Sequence, residues 1–363
     1  MAFYQKRGKA WRARISWYDE TGERHYKFKS GFPTKALAMK WGTENEARLR
    51  QGINISKEIS FSDYFTKWVE TYKENKVSHV SLVRYHTTEK DIQNFFGSQS
   101  IKSVTRSQYQ RFINQFGADH APSTVQKING FIRACVKSAI LDDYLLKDFT
   151  QGIELVSNKS RIRKVDYLNL NEINELIKYC SSNIDYRYTS KYMILTAVYT
   201  GMRLSEIQAL TWKDIDLLNQ TITINKSWDA VEHKFKDTKN KSSIRTIKIN
   251  PELIAYLMQL KNNNSTMVFM DADRNIPTSG AVNKSLRTAL TSLNIHRKNF
   301  HFHSLRHSHV ALLLAHGVDI YVISKRLGHS KISTTINTYG YLIDEYRDKS
   351  DKQIINILKA LPL

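Results

Sequence analysis

The C-terminal half of the chain carries five side chains whose types and order suit phosphodiester chemistry. His303 and Arg306 belong to the run His-Ser-Leu-Arg, and their spacing puts both side chains on one face of a helix. Arg203 lies upstream in Thr-Gly-Met-Arg, whereas His329 follows Leu-Gly and Tyr339 comes ten residues later. Two guanidiniums, two imidazoles and one phenol can together hold a phosphate diester and attack it.

The chemistry that these residue types allow needs no metal ion. A phosphodiester repels nucleophiles because it is anionic, and arginine neutralises its oxygens in a bidentate way. A tyrosine, with an ordinary pKa of about 10, becomes nucleophilic where arginines favour the phenolate and a histidine takes its proton. The product, a phosphotyrosine, keeps the bond energy, so resealing needs no ATP. The sequence has no closely spaced acidic cluster with a metal-ligand pattern, so we expect neither a metal nor another cofactor.

A lysine completes this set. Lys239 lies in the polar segment 237–243, where we predict the tip of a hairpin. From there its ammonium group can reach into the minor groove of DNA and protonate the leaving 5′-hydroxyl. Lys241, two residues further on, is the alternative.

Each motif has a simpler interpretation when it is taken alone. A glycine C-cap followed by a basic residue is common, a His-x-x-Arg pair often lies on a helix surface, and a lone tyrosine indicates nothing. The occurrence of all the motifs in this order, on a strongly basic chain, favours an enzyme that breaks and rejoins DNA.

The composition points the same way. The 363 residues carry a net charge of +21, which indicates a polyanionic partner, nucleic acid rather than a membrane. A solubilising surface charge is the alternative, although solubility needs only a small net charge. Cys135 and Cys180 are the only cysteines, which excludes a disulfide framework and fits a reducing cytoplasm. We see no signal peptide at the N-terminus and no uninterrupted apolar run of about 18 residues.

The first 57 residues have the pattern of a small sheet followed by a helix. They contain thirteen Lys or Arg and five Asp or Glu. Apolar and polar residues alternate at 11–17 and again at 25–29, which predicts a hairpin, and Thr34 is placed to cap a helix that runs to Arg50. We predict a DNA-binding domain at residues 1–57. A structural domain with an aromatic core is the alternative.

Two further domains follow. Apolar residues recur with helical spacing from Phe61 onward, which predicts a bundle of four or five helices at residues 58–156. The basic, unpatterned segment 157–164 reads as a linker. From Tyr167 the pattern is mostly helical, with short β-like segments at 221–224, 228–235 and 243–249. The predicted fold class is therefore mainly α with small β elements: a sheet-plus-helix domain, a helical bundle, and a mixed, mostly α domain at 157–363.

Four runs of residues resemble the sequence boxes of the tyrosine recombinases, most closely the phage and conjugative-element integrases of the lambda type. These runs are Thr200–Ile207, His303–His307, Leu327–Ser330 and Thr334–Tyr339. The resemblance covers essentially the whole chain. It implies that the first domain binds arm sites in DNA, the second binds core sites, and the third is catalytic.

The resemblance also implies a role for each motif residue. Arg203 resembles the first catalytic arginine, Lys239 the hairpin lysine, His303 and Arg306 the central pair, His329 the later histidine, and Tyr339 the nucleophile. Glu206 resembles the acidic residue that orients Arg203, and His307 a second histidine with a supporting role. Tyr341 fits the family spacing less well than Tyr339. The departures Ser304, Ser308 and Lys248, which stand where relatives often have aspartate, threonine and proline, touch no catalytic role.

The activity that the resemblance implies is site-specific recombination through a 3′-phosphotyrosine. The source would be a temperate phage, a genomic island or a conjugative element, and the enzyme would act as a homotetramer on double-stranded DNA with core and arm sites. We expect an excisionase and a DNA-bending protein as partners, no membrane partner, and a location at the nucleoid in the bacterial cytoplasm.

The alternative hypotheses are a Xer-type resolvase of chromosome dimers, which would lack the basic first domain, and a non-catalytic DNA-binding regulator, against which the intact residue set argues. The apolar tail, residues 351–363, suits docking either on a neighbouring protomer or in cis.

Overall fold

The computed structural model describes residues 2–18, 22–50, 59–162, 165–182, 184–238, 241–345 and 358–359. The chain divides into two compact units, Met1–Arg163 and Lys164–Leu363. The tail at 351–363 lies outside the described residues except for positions 358–359. Within the described part of the chain, no helix has the length and apolarity needed to span a bilayer.

The first unit begins with the predicted sheet and helix. Its antiparallel strands, in the order β1-β2-β3, are β1 (Phe3–Arg7), β2 (Ala10–Tyr18) and β3 (Arg24–Phe32), and they are followed by α1 (Lys35–Arg50). Side chains alternate across the sheet along β2, so Ala13 and Ile15 are fully buried whereas Arg14 is exposed on the other face. The Thr34 hydroxyl accepts a hydrogen bond from the backbone N–H of Leu37 (3.3 Å), as predicted for a helix cap.

The rest of the first unit is the predicted helical bundle. Its helices are α2 (Phe61–Tyr72), α3 (His79–Phe96), α4 (Arg106–Ala118) and α5 (Pro122–Leu141). Ser60 caps α2 through a hydrogen bond from the N–H of Asp63. The aromatic stripe of α2 is core, as predicted: Phe61 is fully buried, with its ring centroid 5.2 Å from that of Phe96.

The second unit is helical around one apolar helix. Its helices are α6 (Leu170–Ser182), α7 (Ser190–Thr200), α8 (Leu204–Gln208), α9 (Pro251–Gln259), α10 (Ser279–Ser292), α11 (Phe302–Ala315), α12 (Ile320–Leu327) and α13 (Ile332–Glu345). Residues 192–198 of α7 are buried on all sides, and the helix packs against α6, α9, α10 and α11. A helix that is apolar all round belongs in the centre of a domain, so α7 fixes the positions of its neighbours.

The strands of this unit match the prediction at 221–224 and within 243–249 and differ from it at 228–235. They are β4 (Ile215–Asp216), β5 (Thr221–Ile224), β6 (Lys226–Asp229), β7 (Lys234–Asp237) and β8 (Arg245–Lys248), paired as β4-β5-β8 and β6-β7. The single strand predicted at 228–235 is wrong, because the chain reverses there through His233, which has a positive φ of 50°. Residues 239–240, at the tip of the hairpin predicted at 237–243, lie outside the described residues, and the strands on either side of this segment, β7 and β8, belong to different sheets.

Candidate active site

A buried guanidinium lies at the centre of the second unit. Arg306 of α11 is 2% exposed. Its Nη1 donates to the carbonyl oxygen of Gly201 (2.7 Å), and its Nη2 donates to the carbonyl oxygen of Leu327 (2.7 Å) and to Nε2 of His329 (3.0 Å). One side chain thus joins three motifs that are far apart in the sequence.

Both carbonyl groups belong to the C-terminal ends of helices. Gly201 caps α7 and Gly328 caps α12, each in the left-handed conformation, with φ of 67° and 71°. A Cβ on Gly201 would lie 2.7 Å from Cδ2 of His309, and one on Gly328 would lie 3.1 Å from the carbonyl oxygen of Ser242. The unpaired carbonyls at a helix C-terminus carry partial negative charge, which stabilises the Arg306 cation.

A second cluster holds Arg203. The Glu206 carboxylate accepts from Nη1 of Arg203 (2.7 Å) and from the backbone N–H of Arg203 (3.0 Å) at the start of α8. It also accepts two hydrogen bonds from Arg245 (2.8 and 3.2 Å), whose side chain is 7% exposed. Nε of Arg245 donates to the carbonyl oxygen of Arg326 (2.7 Å), so β8 is tied to α12 next to the His329 motif. Glu206 therefore fixes Arg203 and shares its charge with a second arginine.

The charges of this cluster do not balance. Burial alone would raise the pKa of Glu206, but the hydrogen bonds and charge of Arg245, with the charge of Arg203, lower it to about 2. Burial and the charge of Arg203 lower the pKa of Arg306 to about 9, so this guanidinium stays protonated at neutral pH. Three guanidiniums thus face one carboxylate, and the positive excess suits the binding of an anionic phosphate.

His329 is a neutral imidazole in this arrangement. Because a guanidinium can only donate, Nε2 of His329 must accept from Arg306, and Nδ1 then carries the proton and donates to Oγ1 of Thr335 (2.7 Å). Burial and the charge of Arg306 lower the pKa of His329 to about 4. Its ring orientation is therefore fixed from both sides.

His303 lies at the start of α11 and is solvent-accessible. Its ring is stacked with that of His301, with the centroids 6.4 Å apart. It is perpendicular to that of His307, with the centroids 5.1 Å apart and an angle of 90° between the rings. Partial desolvation and the charge of Arg306 lower the pKa of His303 to about 4. This imidazole is therefore neutral at pH 7 and able to take up a proton.

Tyr339 lies on α13 and is 1% exposed. Its hydroxyl group is 2.7 Å from Nδ1 of His307, with the ring centroids 5.4 Å apart. Burial and the neighbouring His303 lower the pKa of His307 to about 4. The predicted nucleophile is thus in direct contact with a histidine for which the family resemblance implied only a supporting role.

The structure brings most of the predicted site residues into three groups. Arg306 joins His329, Glu206 holds Arg203, and the rings of His303, His307 and Tyr339 follow one another. Lys239 lies outside the described residues, as do the side chains of its alternative Lys241 and of Tyr341. Sequence reasoning missed Arg245, because nothing in a short polar strand marks an arginine that tertiary contacts bury.

Comparisons with known proteins show the family to which the chain belongs. A family model described as Phage integrase family matches residues 166–345. One described as Arm DNA-binding domain matches residues 2–49, and one described as Phage integrase, N-terminal SAM-like domain, matches residues 60–116. The chain belongs to the phage integrase family. The resemblance to lambda-type tyrosine recombinases is confirmed, and this phage integrase family member is a tyrosine-type site-specific recombinase.

Similar proteins match over most of their length. An integrase of Staphylococcus phage L54a is 26% identical over 355 residues, which cover 87% of this chain and 98% of that protein. The Tn1549 transposon integrase in complex with a circular intermediate DNA has a TM-score of 0.67 at 19% identity, covering 81% of this chain and 99% of that one. A lambda integrase tetramer bound to a Holliday junction has a TM-score of 0.58 at 13% identity, covering 90% and 95%. The two structures share the fold predicted for this chain.

A buried histidine of α11, His309, ties this helix to α7 and α12 beside the site. Nε2 of His309 accepts from Nε of Arg326 (3.1 Å), so its Nδ1 carries the proton and donates to the carbonyl oxygen of Val198 (2.9 Å). Burial and the charge of Arg326 lower the pKa of His309 to about 3. This histidine is therefore neutral in the folded protein at pH 5, whereas it is protonated in the unfolded chain.

The Glu206→Gln substitution should slow covalent cleavage of DNA. It removes the charge that holds both Arg203 and Arg245, and misplacement of a positioned group by about 1 Å can lower a rate by about 100-fold. The measurement is the rate of covalent complex formation on nicked DNA. Glu175→Gln, an exposed change on α6, is the matched control, and equal rates for the two variants would contradict the assignment.

The stability of the protein should fall in acid partly because of His309. Between pH 6.5 and 3 the unfolded chain binds a proton at this position and the folded chain does not, so stability falls by about 1.4 kcal/mol per pH unit for this group. His309→Gln should make the decline shallower, as measured by urea unfolding at pH 7.5 and pH 5. The exposed His296→Gln serves as control, and an unchanged slope in the His309 variant would refute the prediction.

Proposed function

We propose that the protein is the integrase of a mobile genetic element and that it cuts and rejoins DNA through Tyr339. The observation that carries the proposal is the hydrogen-bonded set around Arg306. It links the ends of α7 and α12 with His329, while Tyr339 contacts the same helix, α11, through His307. The residues that the sequence motifs name are therefore neighbours in the folded chain.

The roles follow from the chemistry of each group. Tyr339 attacks the scissile phosphate, which leaves a 3′-phosphotyrosine and a free 5′-hydroxyl. Arg203 and Arg306 stabilise the pentacoordinate transition state, because their donors are held in place before charge develops, and His329 contributes by holding the Arg306 guanidinium through Nε2. His303 carries a proton at the open side of the site, and Lys239 is the general acid for the leaving 5′-oxygen.

The outer face of the first sheet is proposed to read arm-site DNA. Phe3, Tyr26 and Phe28 are at least half exposed there. The guanidinium of Arg12 lies 4.3 Å from the ring centroid of Phe28, and that of Arg14 lies 5.3 Å from that of Phe3. Stacking on a ring leaves the N–H edge of a guanidinium directed outward, where it can meet phosphates or base edges in the major groove. The exposed rings also argue against a purely structural domain with an aromatic core.

The assembly is proposed to be a homotetramer on double-stranded DNA, with strand exchange through a Holliday junction. The similar lambda integrase tetramer on a Holliday junction supports this proposal. An excisionase and a DNA-bending protein would set the direction of the reaction at the nucleoid in the cytoplasm. The element would be a phage, a genomic island or a conjugative element.

A nicked suicide substrate that carries the attachment core tests the mechanism. The wild-type protein should form a covalent complex in the presence of EDTA, because arginines rather than a metal neutralise the phosphate in this proposal. Tyr339→Phe should form none, and Tyr341→Phe is the matched control. A missing adduct with the wild-type protein would favour a non-catalytic regulator, and an adduct that survives Tyr339→Phe would place the nucleophile elsewhere.

Replacing both Arg12 and Arg14 by alanine should weaken binding to arm DNA and leave cleavage of core DNA unchanged. The measurement is affinity by fluorescence anisotropy against salt, where each lost phosphate contact reduces the log–log slope by about 0.9. Lys40→Ala, exposed on α1, is the control. Unaffected arm binding would show that Arg12 and Arg14 do not contact arm DNA, and a joint loss of both activities would show that the first domain is not a separate arm reader.

A further inference from the structure

The hydroxyl group of Tyr339 contacts one imidazole, and it is not that of His303. Nδ1 of His307 lies 2.7 Å from the Tyr339 oxygen, and both side chains are held by packing between α11 and α13. His303 lies one turn earlier on the same face of α11 and meets the edge of the His307 ring rather than the tyrosine. Of these two histidines, His307 is therefore the one within reach of the nucleophile's proton.

We propose that His307 is the general base that takes the proton of Tyr339. The inference rests on the proposed role of Tyr339 as the nucleophile. As the O–H proton passes to Nδ1, the phenolic oxygen forms a bond to phosphorus and the bond from phosphorus to the 5′-oxygen breaks. The leaving oxygen keeps the electron pair and is protonated by the general acid. In rejoining, the His307 imidazolium returns its proton to the departing tyrosine.

The surroundings of His307 set the protonation state that this role requires. A base must be neutral before the reaction, with Nδ1 unprotonated and the proton on Nε2. Half-buried among cationic and imidazole groups, His307 is neutral at pH 7, in keeping with its lowered pKa of about 4. The titratable or charged groups near it are His301 just before α11, His303 and Arg306 of α11, His329 after α12, and Tyr339 of α13.

The imidazolium that forms during the reaction has its own source of stabilisation. Negative charge increases on the phosphate oxygens as the tyrosine attacks, and it offsets the new positive charge on His307. His303 remains on the solvent-accessible side of the site, three residues before Arg306, where it can serve the phosphate itself. His307 thus serves the nucleophile, and His303 serves the phosphate.

The test compares two reactions of the same full-length protein. The first is covalent complex formation on the suicide substrate, which requires removal of the tyrosine proton. The second is the joining of a 5′-hydroxyl end to DNA that carries a 3′-(4-nitrophenyl) phosphate. Nitrophenolate leaves without protonation, so this reaction needs the arginines but neither Tyr339 nor its base.

His307→Gln should slow the first reaction by about 100-fold or more and leave the second at the wild-type rate. His316→Gln, an exposed histidine at the end of α11, is the matched control and should leave both rates unchanged. The rate of the first reaction in the wild-type protein should fall in acid as His307 is protonated, and this acid limb should be lost in the His307 variant.

Three results would overturn the inference. Unchanged cleavage by the His307→Gln variant would show that His307 is not the general base. Equal losses in both reactions would show that its role is structural. The selective pattern in His303→Gln instead of His307→Gln would assign the base to His303. A failure of the wild-type protein to form an adduct through Tyr339 is a different result, because it refutes the proposed function itself.

Discussion

The burial of the Arg306 charge is the constraint around which the second unit is organised. Removing a guanidinium from water is strongly unfavourable unless its N–H groups find acceptors. Here the acceptors are the terminal carbonyls of α7 and α12 and the ring of His329. Both helices must therefore end beside α11, and a glycine must follow at each end because the left-handed conformation and close neighbours leave no space for a side chain. The motifs Thr-Gly-x-Arg and Leu-Gly-His each contain such a helix end.

The same constraint explains the electrostatics of the site. Glu206 is shared between Arg203 and Arg245, so the carboxylate neutralises only part of the charge that surrounds it. The histidines nearby remain neutral, because burial and the positive charge of neighbouring groups lower their pKa values. The site thus holds fixed cations where a phosphate binds and neutral imidazoles where protons move. Neither property belongs to one residue, since each depends on the distances between groups from several helices.

Much of the secondary structure could be predicted because its causes are local. The alternation along β2, the Thr34 cap of α1 and the apolar stripe of α2 are read from neighbouring residues, and the structure confirms them. The errors fall where local pattern is ambiguous. In the segment 228–235, apolar and polar residues alternate on both sides of a turn, so the pattern does not show that two strands are present. Strand pairing places β7 and β8 in different sheets. Strand pairing is a non-local property, so the sequence alone could not show which strands flank the segment 237–243 as partners.

The sequence by itself determined the chemical types at the site, the order of the motifs, the basic charge and the family. These depend on residue identity and on spacing along one helix, as for His303 and Arg306. Tertiary structure alone decided that Arg245 shares Glu206 with Arg203, and that His307 rather than His303 meets the Tyr339 hydroxyl. The reason is physical: residues one turn apart on α11 are equivalent in sequence pattern. Only the packing of α13 against that helix distinguishes which imidazole lies within hydrogen-bonding distance of the tyrosine.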